Sequence, residues 1–270
     1  MSEKIRVDLH NHTTLCNHAE GSMDEYIQKA IEIGIDIFGF SEHAPMDFDP
    51  KYRMDISQKP FYENQIKTLR EKYKNQIEIL HAYEVDFMQN KSLMLDEVLK
   101  SKVDYLIGSV HFIQEKDNHL WGFDNPEFIG KYKEKNIDDI WIDYFDVIEQ
   151  MANSKLFDVV GHLDLIKVFK YLPNKDIRII ATNALKAIKK SNMVLEINAA
   201  GLRKPIKEPY PSKNLLELAF DLQIPITFSS DAHAVEQIGF MYDEVSNIAK
   251  DIGYSKCITF KNRDRQLVTF

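Results

Sequence analysis

Cysteine is scarce in this chain: Cys16 and Cys257 are the only two among 270 residues, and they lie far apart. A disulfide-stabilised secreted domain needs several cysteines, and thiolate zinc sites are usually built from several as well. The first residues are charged and lack the apolar run of a signal peptide, so we expect a cytoplasmic protein with reduced thiols. Although Cys16 lies among histidines, we interpret it as a small packing residue.

Long apolar runs and an excess of basic residues are also lacking. No apolar run approaches the length of a membrane span. Lysine and arginine number 34 against 42 aspartates and glutamates, which leaves a formal net charge of -8. Broad binding to nucleic acid or to an anionic membrane usually needs a basic face, so we expect neither as a partner.

Short β-rich apolar runs alternate with helix-like segments along the whole chain. The runs cover residues 5–9, 36–41, 77–87, 104–110, 157–162, 193–198, 225–230 and 257–260. They are continuously apolar, as in parallel strands buried on both faces, and seven or eight repeats over about 250 residues are typical of a βα barrel. An open doubly wound sheet is the second choice, but no G-x-G-x-x-G follows the first run. No Ser/Gly linker divides the chain, so the pattern predicts a single domain, 1–270.

Histidine is concentrated where these runs end, the position at which a barrel builds its active site. In an extended strand, residues i and i+2 point the same way, so H-x-H and D-x-H can each direct two ligands at one cation. Without metal, crowding these groups together would cost desolvation and repulsion. The candidate ligands of a multinuclear metal site are His10, His12, His18, His43, Glu84, His111, His162, Asp231 and His233. Imidazole and carboxylate without thiolate suit zinc, manganese or iron and do not choose among them.

These motifs resemble, in order and spacing, those of the PHP (polymerase and histidinol phosphatase) superfamily. The resemblance runs from residue 6 to residue 233 and rests on "DLHNHTTLCNH", "FSEHAP", "YEVDF", "GSVHF", "GHLDLI" and "SSDAH". Intervening segments, "SVHFI", "WGFD" and "EINAAGLRKP", are similar to the monofunctional histidinol-phosphate phosphatases of that superfamily. The resemblance implies a distorted (βα)7 TIM-like barrel that holds three divalent metal ions.

The resemblance also implies which residues bind each ion. The first ion would be bound by His10, His12, Glu84 and Asp231; the second by Glu84, which bridges, with His111 and His162; and the third by His18, His43 and His233. Three divalent cations would draw an anionic substrate to an acidic protein. His81 and His119 are given no role.

The implied activity is hydrolysis of a phosphate monoester, L-histidinol phosphate, in histidine biosynthesis. Glu84 would be central to catalysis, and Asp231 and His233 are both candidates for assisting proton transfer. Arg203 and Lys167 would hold the phosphate; the family tends to have arginine at the second position, and lysine keeps the charge but loses the bidentate fork. Asp124 is the candidate partner of the substrate's amine.

Several alternatives remain open at this point. A PHP phosphoesterase could act instead on a phosphotyrosine protein or on a nucleic-acid phosphodiester. An amidohydrolase-type C–N hydrolase shares the barrel and the H-x-H, and a metal-binding protein without enzymatic activity is a third reading. The last segment, "FKNRDRQLVTF", either ends the barrel or contacts another subunit of a homo-oligomer.

Overall fold

The structure is a computed structural model that describes residues 4–115 and 119–270. Its strands are β1 (Val7–Asp8), β2 (Ile37–His43), β3 (Glu78–Asp86), β4 (Tyr105–Ser109), β5 (Phe112–Gln114), β6 (Leu120–Gly122), β7 (Val159–Val160), β8 (Val194–Asn198), β9 (Ile226–Ser229), β10 (Lys256–Lys261) and β11 (Asp264–Thr269). Its α-helices are α1 (Met23–Glu32), α2 (Lys59–Tyr73), α3 (Asp96–Leu99), α4 (Ile137–Ser154), α5 (Ile177–Lys190), α6 (Ala200–Arg203), α7 (Lys213–Asp221) and α8 (Tyr242–Ile252). Short 3-10 helices cover Thr14–Cys16, Pro50–Tyr52, Ile56–Gln58, Lys91–Leu93, Pro126–Lys133, Leu165–Lys167 and Val235–Gln237.

Seven parallel strands form a nearly closed barrel. They are hydrogen-bonded in the order β1-β2-β3-β4-β7-β8-β9, and every neighbouring pair runs parallel. The last strand also meets the first, because the Leu9 N–H donates to the Phe228 carbonyl at 3.0 Å and Asn11 forms a parallel bridge with Ala232. The expected (βα)7 barrel is therefore confirmed, and the open doubly wound sheet is not what the chain forms.

Local sequence explains the regular elements. β2 and β3 are buried along almost their whole length, as their continuous apolar character predicts. α1 begins at a capping box, in which the Ser22 hydroxyl accepts from the Glu25 N–H and the Glu25 carboxylate accepts from the Ser22 N–H. The turn after α1 passes through Gly34 at φ +75°, a left-handed conformation that glycine adopts without strain.

The last apolar run does not join the barrel. β10 and β11 pair as an antiparallel hairpin, because Asn262 and Arg263 both take positive φ and form a tight two-residue turn. The turn donates backbone N–H groups to Asp104, which precedes β4, and the Ile5 N–H donates to the Thr269 carbonyl. The hairpin therefore ends the barrel by packing at the amino ends of its strands, opposite the rim where the histidines lie.

Within the described residues, no helix combines the length and the apolar character that crossing a bilayer requires.

Candidate metal centre

The barrel brings the predicted ligands to one rim, at the carboxyl ends of its strands. His43 is the last residue of β2, Glu84 lies two residues before the end of β3, and the other ligands follow the strands within a few residues. All are buried or half-buried except His18, which the turn Thr14–Cys16 places against the rings of His43 and His233 at centroid distances of 5.2 and 4.7 Å.

Glu84 lies at the centre of the cluster. Its Oε1 is 2.9 Å from Nε2 of His162 and 3.7 Å from Nε2 of His111. Its Oε2 is 2.9 Å from Nδ1 of His43, 3.4 Å from Nε2 of His10 and 3.7 Å from Nε2 of His12. One carboxylate thus faces two different sets of imidazoles, one with each oxygen.

Four groups of three residues offer ligand atoms that lie within 4.8 Å of one another. One unites His10, His12 and Asp231, and a second unites Glu84, His111 and His162. These two match the predicted first and second ion sites apart from the shared Glu84. The other two groups are His12 with His43 and His233, and Cys16 with His18 and His233.

The donor atoms in this cluster fit cations better than they fit one another. The buried atoms Nε2 of His10, Nδ1 and Nε2 of His12 and Oε2 of Glu84 have no hydrogen-bond partner of good geometry among the described residues. Buried polar atoms are rarely left in this state, so a group that accepts lone pairs from all of them is the simplest way to satisfy them. Imidazole nitrogens and carboxylate oxygens are the lone-pair donors that bind zinc, manganese or iron.

The cluster keeps its carboxylates ionised. Burial alone would raise the pKa of Glu84, but the surrounding imidazoles, led by His10, outweigh it and hold that pKa well below its usual range. The same competition, led by burial and then by the charge of His10, holds the pKa of Asp231 well below its usual range. Burial lowers the pKa of His43 to about 4, so its imidazole is neutral at neutral pH. Anionic carboxylate and neutral imidazole are the forms that bind metal, so His111, whose pKa the neighbouring carboxylates raise to about 10 despite its burial, would release a proton when it binds.

Three buried carboxylates that the sequence analysis did not single out lie behind the histidines. Glu196 contacts Nδ1 of His10 at 2.7 Å and also accepts the backbone N–H of His162 at 2.6 Å. Asp86 contacts Nδ1 of His111 at 2.6 Å, and Glu42 lies 3.5 Å from Nδ1 of His12. A carboxylate on the second nitrogen fixes the tautomer and orientation of a ligating imidazole. For Asp86 a signal was available, because it lies two residues after Glu84 on one strand and so shares its face.

The two predicted phosphate-binding cations have different surroundings. Arg203, the last residue of α6, lines the cavity and donates to the backbone carbonyls of Ser230 and Asp231. Lys167 is 2% exposed, and its ammonium lies between Asp164 at 3.0 Å and Glu208 at 3.2 Å. Lys167 is not among the described residues that line the cavity above the cluster. The role of Lys167 in phosphate binding stays a prediction.

A cavity of about 600 Å³ opens above the metal-ligand cluster. Its floor includes Glu84, His111, His162, Asp231 and His233, and its walls carry both signs of charge. The cations are Arg203, Lys204, Arg53 and Lys51, and the carboxylates are Asp49, Asp86, Asp124 and Glu127. The aromatic side chains of Tyr52, Phe112 and Phe128 also line it, whereas Trp121 and Phe123 are buried in the core.

A family model of the PHP domain matches residues 8–200, which include seven of the nine predicted ligand positions; Asp231 and His233 lie beyond the matched range. The chain belongs to the PHP domain family. The resemblance seen in the motifs is confirmed, and the parallel barrel with its ligand-rich rim is the PHP fold.

Known PHP proteins resemble the chain over nearly its whole length. A protein of Deinococcus radiodurans named probable histidinol-phosphatase is 35% identical, over 96% of this chain and 98% of its own. Histidinol-phosphatase of Bacillus subtilis is 28% identical, over 87% of this chain and 96% of its own. The crystal structure of histidinol phosphate phosphatase from Lactococcus lactis, complexed with zinc, L-histidinol and phosphate, superposes with a TM-score of 0.79 over 98% of this chain and 100% of its own, at 19% identity.

Proposed function

We propose that this chain is a metal-dependent phosphatase that hydrolyses L-histidinol phosphate to L-histidinol and inorganic phosphate in histidine biosynthesis. The observation that carries the proposal is the position of Glu84, whose two oxygens face two separate sets of imidazoles at the floor of the cavity. A carboxylate shared in this way suits a pair of metal ions, an arrangement that phosphatases use to clamp the oxygens of a phosphoryl group in transfer.

The comparisons support the substrate. The relatives from Deinococcus radiodurans and Bacillus subtilis, named probable histidinol-phosphatase and histidinol-phosphatase, match 96% and 87% of this chain and 98% and 96% of their own lengths. The Lactococcus lactis structure of the same fold was solved with zinc, L-histidinol and phosphate together. A cavity lined by both cations and carboxylates suits a substrate that carries a phosphate and an ammonium group.

Three divalent ions would be held by the predicted ligands. His10, His12, Glu84 and Asp231 would hold the first, Glu84, His111 and His162 the second, and His18, His43 and His233 the third. Bound there, zinc, manganese or iron would lower the pKa of water and neutralise charge on the phosphoryl oxygens. Cys16 is not part of this set, because burial, followed by the negative charge of Glu42, raises the pKa of its thiol above the usual range.

The chain's own residues would orient the substrate and move protons. Arg203 has two N–H groups on backbone carbonyls, and its other donors, which have no hydrogen-bond partner in the described part of the chain, would bind phosphate oxygens from the cavity wall. Asp124 on the same wall would bind the ammonium group of the substrate. Asp231 and His233, side by side at the rim, are the candidates for assisting proton transfer.

Other substrates and classes fit less well. A phosphodiesterase acting on nucleic acid would need a basic track, and the net charge of -8 opposes one. We therefore propose a small phosphorylated substrate, and a cytoplasmic enzyme, in preference to a nucleic-acid or phosphoprotein partner. An amidohydrolase-type C–N hydrolase would have no use for the additional histidines at positions 18, 43 and 233.

The test is phosphate release by metal-stripped protein reloaded with manganese, zinc or iron. L-histidinol phosphate would be compared with p-nitrophenyl phosphate, a phosphotyrosine peptide and a nucleotide diester, and bound metal counted by mass spectrometry. We expect metal-dependent hydrolysis with a strong preference for L-histidinol phosphate and about three ions per chain, one for each of the three proposed ligand sets. Equal turnover of the generic esters would refute the substrate, and full metal loading without hydrolysis of any ester would refute the enzyme.

A further inference from the structure

The ammonium of Lys167 is held by partners within the protein. It carries three N–H donors. Two of them donate, to Glu208 at 3.2 Å and to the Pro209 carbonyl at 2.8 Å, and the ammonium also forms an ion pair with Asp164 at 3.0 Å. The side chain is 2% exposed, so a phosphate could reach it only by displacing these partners. A buried cation with its charge matched by two carboxylates serves as a structural link.

The link holds one short segment from both sides. Lys167 binds Glu208 and Pro209, which precede Tyr210, and Asp164 accepts the backbone N–H of Ser212, which follows it, at 2.9 Å. Tyr210 itself exchanges two backbone hydrogen bonds with Asn198 at the end of β8, at 2.7 and 2.9 Å. The position of Tyr210 relative to the rim is therefore set by these contacts.

Tyr210 faces the cavity with an unused hydroxyl. It is among the residues that line the cavity, yet it is 1% exposed, and its hydroxyl has no hydrogen-bond partner among the described residues. Its ring lies 6.4 Å from that of His162, centroid to centroid. A buried hydroxyl without a partner destabilises the protein, and at this cavity a bound ligand could supply the missing acceptor.

The segment also packs tightly against the helix that carries Arg203. A side chain added at Gly201 in α6 would place its first carbon 2.0 Å from the Glu208 carbonyl oxygen and 3.1 Å from the Tyr210 ring. This close approach brings the Tyr210 phenol and the Arg203 guanidinium to one part of the wall. Burial, followed by the negative charge of Asp164, raises the pKa of the Tyr210 phenol, so its hydroxyl remains a donor.

We propose that Tyr210 donates a hydrogen bond to the phosphate group of the bound substrate, and that Lys167 is a positioning residue that acts through Tyr210. The inference rests on the proposed phosphatase function and deepens it. The lysine that stands where the family tends to have arginine would then affect phosphate binding indirectly. Asp164 and Glu208, the two carboxylates that contact Lys167, would help to position Tyr210 in the same way.

The experiment is a double-mutant cycle with Y210F and K167M. The readouts are kcat and KM for L-histidinol phosphate and the inhibition constant of inorganic phosphate, with metal content as a check of the site. A hydrogen bond to a charged group predicts that Y210F weakens phosphate inhibition and raises KM about tenfold. K167M should give a similar loss alone and little further loss in the Y210F protein, because both changes remove one interaction.

Matched variants keep the test decisive. Y26F removes another buried hydroxyl without a partner among the described residues, but outside the cavity lining, and should leave phosphate inhibition unchanged. If K167M fails to fold, E208Q loosens the same contact through a half-exposed side chain, and its effect should likewise vanish in the Y210F protein.

The outcomes separate the two proposals. If the unmodified enzyme releases phosphate and Y210F matches it within about twofold, the role of Tyr210 is wrong while the phosphatase function stands, because a lost hydrogen bond to phosphate should cost more. If K167M costs the same factor in both backgrounds, Lys167 binds phosphate independently and the positioning role is wrong. If the unmodified protein hydrolyses no phosphate ester and binds no phosphate, both proposals fall.

Discussion

Replacing Glu84 with glutamine would keep the shape of the side chain and remove the charge that both sets of imidazoles share. The carboxylate is 1% exposed and lies within 3.7 Å of nitrogens from five histidines, two on one oxygen and three on the other. Because an amide offers one oxygen and one NH₂ group, one of these two sets would face donor hydrogens instead of a lone pair. We therefore expect E84Q to disturb the first and second ion sites together.

The size of the expected loss in activity follows from the burial of the imidazoles that lose their charged partner. Removing one member of a buried charge pair costs about 3–5 kcal/mol, because the other charge stays in a medium of low polarity. Each 1.36 kcal/mol is tenfold in rate, so we expect kcat/KM to fall about 10²- to 10⁴-fold. The bound metal should fall by more than one ion per chain, since the lost charge serves both sides.

The assay is phosphate release from L-histidinol phosphate, together with metal content measured by mass spectrometry on the same samples. E63Q is the control, because Glu63 lies on α2 and is paired with Lys59 outside the cluster, so it should retain metal and activity. An E84Q protein that kept full metal content and a kcat/KM within about threefold of the unmodified protein would refute the shared role, since that role predicts a loss of at least 10²-fold.

Two further predictions concern groups outside the proposed ligand set. Glu196 holds His10 and the backbone of His162, so E196Q should weaken metal affinity about 10- to 100-fold; chelator competition measures this, and unchanged affinity would contradict it. Burial lowers the pKa of His81 from 6.5 to about 4. The unfolded chain therefore binds the extra proton first as pH falls, and the native state should lose about 2 kcal/mol between pH 7.5 and pH 5 from this group. Urea unfolding should show that H81Q lacks this part of the pH dependence; an equal dependence in both proteins would contradict the assignment.

The repeating pattern of the chain was sufficient to predict the barrel. Parallel strands buried on both faces require continuous apolar runs, and seven such runs correspond to the seven strands of the barrel. The exception is the run at 257–260, which is as apolar as the others but pairs with β11 in a hairpin. Periodicity indicates which residues are buried and not which strand they pair with, so it could not predict that this run pairs in a hairpin.

The local spacing of the ligands was also readable from the sequence. His10 and His12 share a strand face, and strand ends in a parallel barrel meet at one rim, so a metal centre follows without coordinates. The motifs further assigned the chain to the PHP family, and the family model confirmed it.

Only the tertiary structure decided which carboxylates contact the proposed ligands and which cations are available to a substrate in the cavity. Glu196 contacts His10, which is 186 residues away in the sequence, and Asp164 contacts Ser212, which is 48 residues away. The same closure of the barrel leaves Arg203 at the cavity wall and buries the ammonium of Lys167 between two carboxylates. Sequence specifies residue type and local period, whereas the state of a charge depends on neighbours that distant segments supply.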